Sequence, residues 1–184
     1  MTSNADIAWL AGFMDGEGSF TLYYSVWNKS DPPRRFISTI FQTVNTNEEN
    51  IKRVKEIVSE IVGREIRYRP GKGKSLEGQR PQWCLQVTKQ ENIAALCVAL
   101  MPYLVGKKPQ AELMQRYLKT TPKAMHTRGC MESPVSGYTE EHHKMVSEMR
   151  HLNRRYARGE WPLQQETKLT APVDGPDEVI VRTP

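Results

Sequence analysis

Two carboxylates, Asp15 and Glu17, close the stretch "WLAGFMDGEGSF" from Trp9 to Phe20, which begins with helical apolar spacing and ends in alternation. At the C-terminal end of a helix the macrodipole is negative, so an anionic side chain there is disfavoured by about 0.3–1 kcal/mol unless positive charge is brought to it. Gly12 and Gly16 fall inside the same helix, each at a cost of about 1 kcal/mol relative to alanine. Ala8, Gly12 and Gly16 recur at every fourth position, one smooth stripe along which a second helix can approach backbone to backbone. A weak helix running into a glycine-rich turn would carry the same letters.

A second group of residues has the chemistry of base recognition. From Ser19 the apolar period becomes two, and again in the segments around Ile37 and Leu85. If Leu22, Tyr24, Ile37, Phe41, Ile66, Tyr68, Trp83, Leu85 and Val87 face a core, the opposite face presents Thr21, Tyr23, Ser25, Trp27, Ser38, Ile40, Gln42, Arg67, Arg69, Gln82, Cys84 and Gln86. Arginine and glutamine match the donor and acceptor patterns of guanine and adenine edges in the major groove, and aromatic or threonine groups meet thymine methyls. A solvated sheet face would hold the same polar residues. Arg34, Lys72, Lys74 and Arg80 fall at strand tips or in turns, where phosphates would pass. A strand of about eight residues spans on the order of 26 Å, roughly eight base pairs of duplex. As a phosphate-binding loop "GKGK" is a weak signal, and a hairpin turn is the simpler reading.

The elements that must position these groups follow in a clear order. A helix runs from about Ala5 to Gly16, with Asn4 or Asp6 as N-cap, then a strand from Ser19 to Trp27 and another from about Arg34 to Val44. A capping box, Thr46 to Glu49, opens a second helix that stops at Gly63. "REIRYRP", a Gly/Lys-rich turn and "RPQWCLQV" repeat the strand pair, and a capping box from Thr88 to Glu91 opens "NIAALCVALMPYL". The order αββαββα predicts an α+β domain with an antiparallel sheet covered by helices on one face. "PQAELMQRYLKT" is a further helix, and a charged one is expected from about Thr139 to Arg158. The expected organisation is one domain over residues 1–158, its core at about 5–120, with a proline-bearing tail, 159–184, in which only "VIV" suggests a strand.

Composition sets outer bounds. A chain of 184 residues with a net charge of +5 suits one core and a polyanionic partner. It has no long apolar run and no secretory signal, so a soluble, intracellular protein without a membrane partner is expected, its compartment open. Cys84, Cys97 and Cys130 are an odd, widely spaced set, read as reduced thiols. His126 with Cys130, or His142 with His143, gives no four-ligand metal set, so these are read as surface residues. Met145 and Met149 are read as ordinary packing or surface residues.

"LAGFMDGEG", Leu10 to Gly18, resembles the signature of the LAGLIDADG homing endonucleases, with glutamate for the second aspartate, and "PYLVGKKPQAEL" is also similar. The likeness runs from about Ile7 to Leu118. Only one motif is present, which in that family implies a homodimer, its first helices packed along the dyad through Ala8, Gly12 and Gly16. The two sheets would then form a saddle over a long, partly palindromic double-stranded DNA site.

The resemblance further implies metal-dependent phosphodiester hydrolysis, one cut per strand near the dyad, leaving cohesive 3′ ends. Glu17 maps to the metal-binding carboxylate, with the Gly16 carbonyl as an extra ligand, and Asp15 to a structural position. Mg2+ is the expected ion, with Mn2+ as a substitute, since hard divalent cations take carboxylate, carbonyl and water oxygens. Lys107 maps to a basic residue that stabilises phosphate charge electrostatically. Asn45 stands where relatives order solvent with a glutamine; its other reading is a local backbone bond at the end of a strand. A basic residue found nearby in some relatives has no match, since Glu49 stands there. Two other functions remain open on the sequence: an intron RNA-binding maturase, and a DNA-binding module that does not cleave.

Overall fold

The computed structural model describes residues 2–27, 34–71, 81–121, 138–157 and 180–181. The elements run α1 (Asn4–Glu17), β1 (Gly18–Trp27), β2 (Arg34–Asn45), α2 (Glu48–Ile61), β3 (Tyr68–Pro70), β4 (Trp83–Val87), α3 (Gln90–Leu100), α4 (Lys108–Thr120), α5 (Glu140–Ala157) and β5 (Ile180–Val181). The strand order is β3-β4-β2-β1-β5, with β2–β4 and β4–β3 antiparallel and β5 parallel to β1. The α+β class and the αββαββα order read from the sequence are those of the structure. By internal packing the chain divides into two compact units, Met1–Thr21 with Thr39–Thr120, and Leu22–Ser38 with Thr121–Pro184. No helix among the described residues is long and apolar enough to cross a membrane.

In the first unit α1 packs against α2 and α3, α3 against α4, and α2 against β4. Leu10, Ala11 and Met14 are the buried residues of α1. They meet a core that includes Phe20, Phe41, Ile51, Val58, Leu85, Leu96 and Met114. Phe20 and Phe41 join edge to face, their ring centroids 5.4 Å apart, the arrangement that aromatic quadrupoles favour.

The helix starts differ from the sequence reading by a residue or two, each for a local reason. The N-cap of α1 is Ser3, whose hydroxyl accepts from the Asp6 N–H while the Asp6 carboxylate accepts from the Ser3 N–H, a full capping box. The cap of α2 is Asn47, not Thr46: Asn45 Oδ1 accepts from Asn47 N–H at 2.8 Å and Asn47 Oδ1 from Glu49 N–H at 3.0 Å, so two successive carboxamides turn the chain before the helix starts. Gly63, at φ +67°, ends that helix as expected. Lys89, not Thr88, is at the N-cap of α3 and makes no side-chain cap there.

The third strand is shorter than the expected 64–70. Ile66 is buried and its N–H donates to the Ser59 hydroxyl at 2.9 Å, which ties that part of the chain to α2 and lets pairing with β4 begin only at Tyr68. Helix α3 ends at Leu100 rather than Leu104. Leu100 then accepts from the N–H groups of Tyr103 and Leu104, and the turn carries the chain on to Lys107.

In the second unit α5 buries His142, Met145, Val146 and Met149. His142 is therefore not a surface residue: its Nδ1 accepts from the Thr139 N–H at 2.9 Å and closes the start of the helix. His143 is exposed, and its ring stacks on Tyr24, whose hydroxyl lies 2.7 Å from His143 Nδ1. Ser25 and Ser38 share a hydroxyl–hydroxyl bond of 2.7 Å. In the tail, Ile180 and Val181 pair with Ser25 and Val26. Cys84 and Cys97 are free and buried; His126 and Cys130 lie outside the described residues.

Candidate functional site

The C-terminal turn of α1 is where the sequence-predicted groups converge. An α-helix leaves its last four carbonyls without intrahelical partners, and α1 has no basic residue in its last turn to answer them. Positive charge arrives from elsewhere in the chain. Lys107 Nζ donates to the carbonyls of Met14 at 2.8 Å and Asp15 at 2.7 Å. The Asp15 carboxylate reaches back, accepting from the Val105 N–H through Oδ2 and from the Lys107 N–H through Oδ1, each at 2.8 Å. Side chain and backbone thus clip the two segments together from both directions.

Lys107 is only 4% exposed. That burial pulls its pKa down to about 8, against the opposing pull of Asp15 and Glu17. Gly16 and Glu17 are exposed at the end of the helix, next to this clip. Gly18 follows, and its N–H donates to the Met14 carbonyl. A β-carbon at Gly18 would meet the Met14 side chain and, at 2.9 Å, its Cα, so the exit from the helix requires glycine. Asn45 is half-buried at the end of β2, with its carboxamide oxygen taken by the turn into α2.

Ala8, Gly12 and Gly16 are exposed, and a β-carbon at Gly12 or Gly16 would have nothing within 4 Å. Trp9 and Phe13, half-buried and stacked at 5.3 Å, share the same helix, and Arg53 lies over the Trp9 ring at 4.2 Å. Among the described residues, nothing in the packing at Gly12 or Gly16 explains why they are not larger residues.

The sheet residues fall into three sets. Arg67, Arg69 and Gln82 are exposed, and Thr21, Ser38, Gln42 and Gln86 are half-buried. Tyr23, Ser25, Ile40 and Cys84 are buried at 4–9% exposure. The side chains of Trp27 and Arg34, and all of Lys72, Lys74 and Arg80, lie outside what the structure describes. The β2–β4 register places Gln42 beside Gln86 and Val44 beside Cys84, while β3 brings Arg69 beside Cys84. Arg69 Nη2 donates to Gln86 Oε1 at 3.1 Å. Val44, two residues after Gln42, takes the same face by alternation and is a member of this row that the sequence reading did not name.

Comparison with solved structures assigns the fold. The chain is similar to the homing endonuclease I-CvuI in complex with its target in the presence of calcium (16% identity, 91% of this chain and 87% of that chain, TM-score 0.53). It is also similar to the archaeal intron-encoded homing endonuclease I-Vdi141I complexed with DNA (14% identity, 90% of each chain, TM-score 0.53). A third likeness is to the LAGLIDADG homing endonuclease I-LtrWI bound to target DNA (20% identity, 82% of this chain and 45% of that chain, TM-score 0.52). No family model and no curated protein matches the chain by sequence. The chain has the LAGLIDADG homing-endonuclease fold.

Proposed function

We propose that the chain is a site-specific DNA endonuclease of the LAGLIDADG homing type, acting as a homodimer on a long, partly palindromic duplex. The observation that carries this reading is the form of α1. Its small-residue stripe is exposed and unfilled, and it leads to Glu17, exposed at the C-terminal end where the stripe finishes. A second α1 packed along Ala8, Gly12 and Gly16 would bring two such ends together about a dyad. The same dyad would double the sheet face that carries Gln42, Arg69 and Gln86, with Arg67 and Gln82 at the strand ends beside it, in keeping with a palindromic site.

The donor set at the end of α1 fits a hard divalent cation. The Glu17 carboxylate and the Gly16 carbonyl are both oxygen donors, of the kind that Mg2+ takes together with water and substrate phosphate. Among the described residues no group of three or more His, Cys, Asp or Glu could hold a metal. A partner chain, phosphate and water would therefore complete the shell. The cation, when bound, supplies a Lewis acid for phosphodiester hydrolysis. Asp15 fixes the turn that carries Lys107, and Lys107 sets one positive charge beside the carboxylates.

The test is to incubate the purified protein with a randomised duplex library in Mg2+, and separately in Ca2+. Specific double-strand cuts in Mg2+ are expected, together with binding in either ion, and Glu17→Gln should bind the same sequences without cutting them. Selective DNA binding with no Mg2+-dependent cleavage would move the reading to a module that binds without cutting.

A further inference from the structure

The end of α1 offers several carbonyls to a cation, and the chain has already filled two of them. Gly18 N–H and Lys107 serve the Met14 carbonyl, and Lys107 also serves that of Asp15. Gly16 is the next carbonyl in line, followed at once by the Glu17 carboxylate. An ammonium and a divalent metal ion seek the same hard oxygens, so a lysine lodged on the first two carbonyls competes for them with any metal at this helix end.

We propose that Lys107 is a positioning residue that occupies the Met14 and Asp15 carbonyls and so confines a divalent cation to the Gly16 carbonyl and the Glu17 carboxylate. The inference rests on the cation reading above and deepens it. Two of the three ammonium donors are spent on backbone oxygens, in a side chain that is almost wholly buried. Its backbone is pinned to the same helix end by Asp15, which keeps the ammonium within reach of these carbonyls. Lys108, one residue on, is exposed. The burial is therefore particular to Lys107. Without the ammonium, a cation could slide toward Met14 and away from Glu17.

The experiment loads the full-length protein, labelled with [1-13C]methionine, with Mn2+ and records electron–nuclear double resonance alongside a Mn2+ titration. Wild type should show no carbonyl 13C coupling from methionine. Lys107→Leu should show one, from Met14, and should bind Mn2+ about threefold or more tightly, because a nearby positive charge has gone. Lys108→Leu removes the same formal charge from an exposed position and should change neither readout. Lys107→Arg, which keeps charge and donors, should restore the wild-type spectrum. A methionine coupling in wild type overturns the proposal even if Lys107→Leu fails to fold. So does a folded Lys107→Leu with wild-type spectrum and affinity. If Glu17→Gln leaves Mn2+ binding unchanged, the cation is not at α1 and the underlying functional reading fails with it.

Discussion

Replacing Gly12 by alanine should have opposite effects on the isolated chain and on the assembly. Within one chain a β-carbon at Gly12 meets nothing within 4 Å, and the residue is exposed in a 14-residue helix. Helix propensity alone then stabilises the variant by about 0.8–1 kcal/mol. For a chain of this size that raises the melting temperature by about 2–4 °C. In a dimer packed backbone to backbone along the stripe, the added methyl instead enters a filled contact, at about 1–3 kcal/mol per insertion. An isologous interface contains the change twice, so the dimer loses about 2–6 kcal/mol. At about 1.4 kcal/mol per tenfold, its dissociation constant should rise by roughly 30-fold or more. Sedimentation velocity over a concentration series measures the constant, and thermal unfolding of the same samples measures stability. An unchanged monomer–dimer equilibrium together with a higher melting temperature would refute the packing of two α1 helices through Gly12.

Gly18→Ala should act the other way within a single chain, because its β-carbon would run into Met14. A loss of about 1–3 kcal/mol is expected in urea unfolding. The pH dependence should carry the mark of Lys107. Its folded pKa, about 8, lies below the unfolded value of about 10.4, so the unfolded chain holds the extra proton between them and stability rises with pH through that window. The urea midpoint of wild type relative to Lys107→Leu should therefore increase from pH 8 to pH 10, and a flat difference would contradict the buried lysine. Cys97 is fully buried and its thiol is pushed up to about 12 by burial, so it should resist alkylation by iodoacetamide at pH 8 in the folded protein and react on unfolding, as read by mass spectrometry.

What can be read from local sequence is whatever neighbouring residues decide among themselves. The helical spacing of Leu10 and Met14, the alternation after Ser19 and the positive-φ stop at Gly63 depend on contacts within a few residues, and each is where the letters place it. The caps of α1 and α2 moved by a residue or two because several Ser, Thr, Asn and Asp side chains compete at each start. Their letters do not say which one captures the backbone. His142 is polar and sits in a charged segment, yet it is buried because its ring nitrogen completes the start of α5.

The candidate site divides in the same way. Its carboxylates and its glycine stripe stand together in "LAGFMDGEG" and are visible in a single stretch of sequence. The grip of Lys107 on Met14 and Asp15 joins positions 92 and 93 residues apart, and it exists only because α3 ends early and the following turn doubles back to α1. Register likewise sets Arg69 beside Cys84 and within reach of Gln86, since alternation tells which face a residue takes but not what lies beside it. Side-chain type and helical period are properties of the local chain. Which carbonyl an ammonium reaches is a property of the path the whole chain takes, and only packing determines that path.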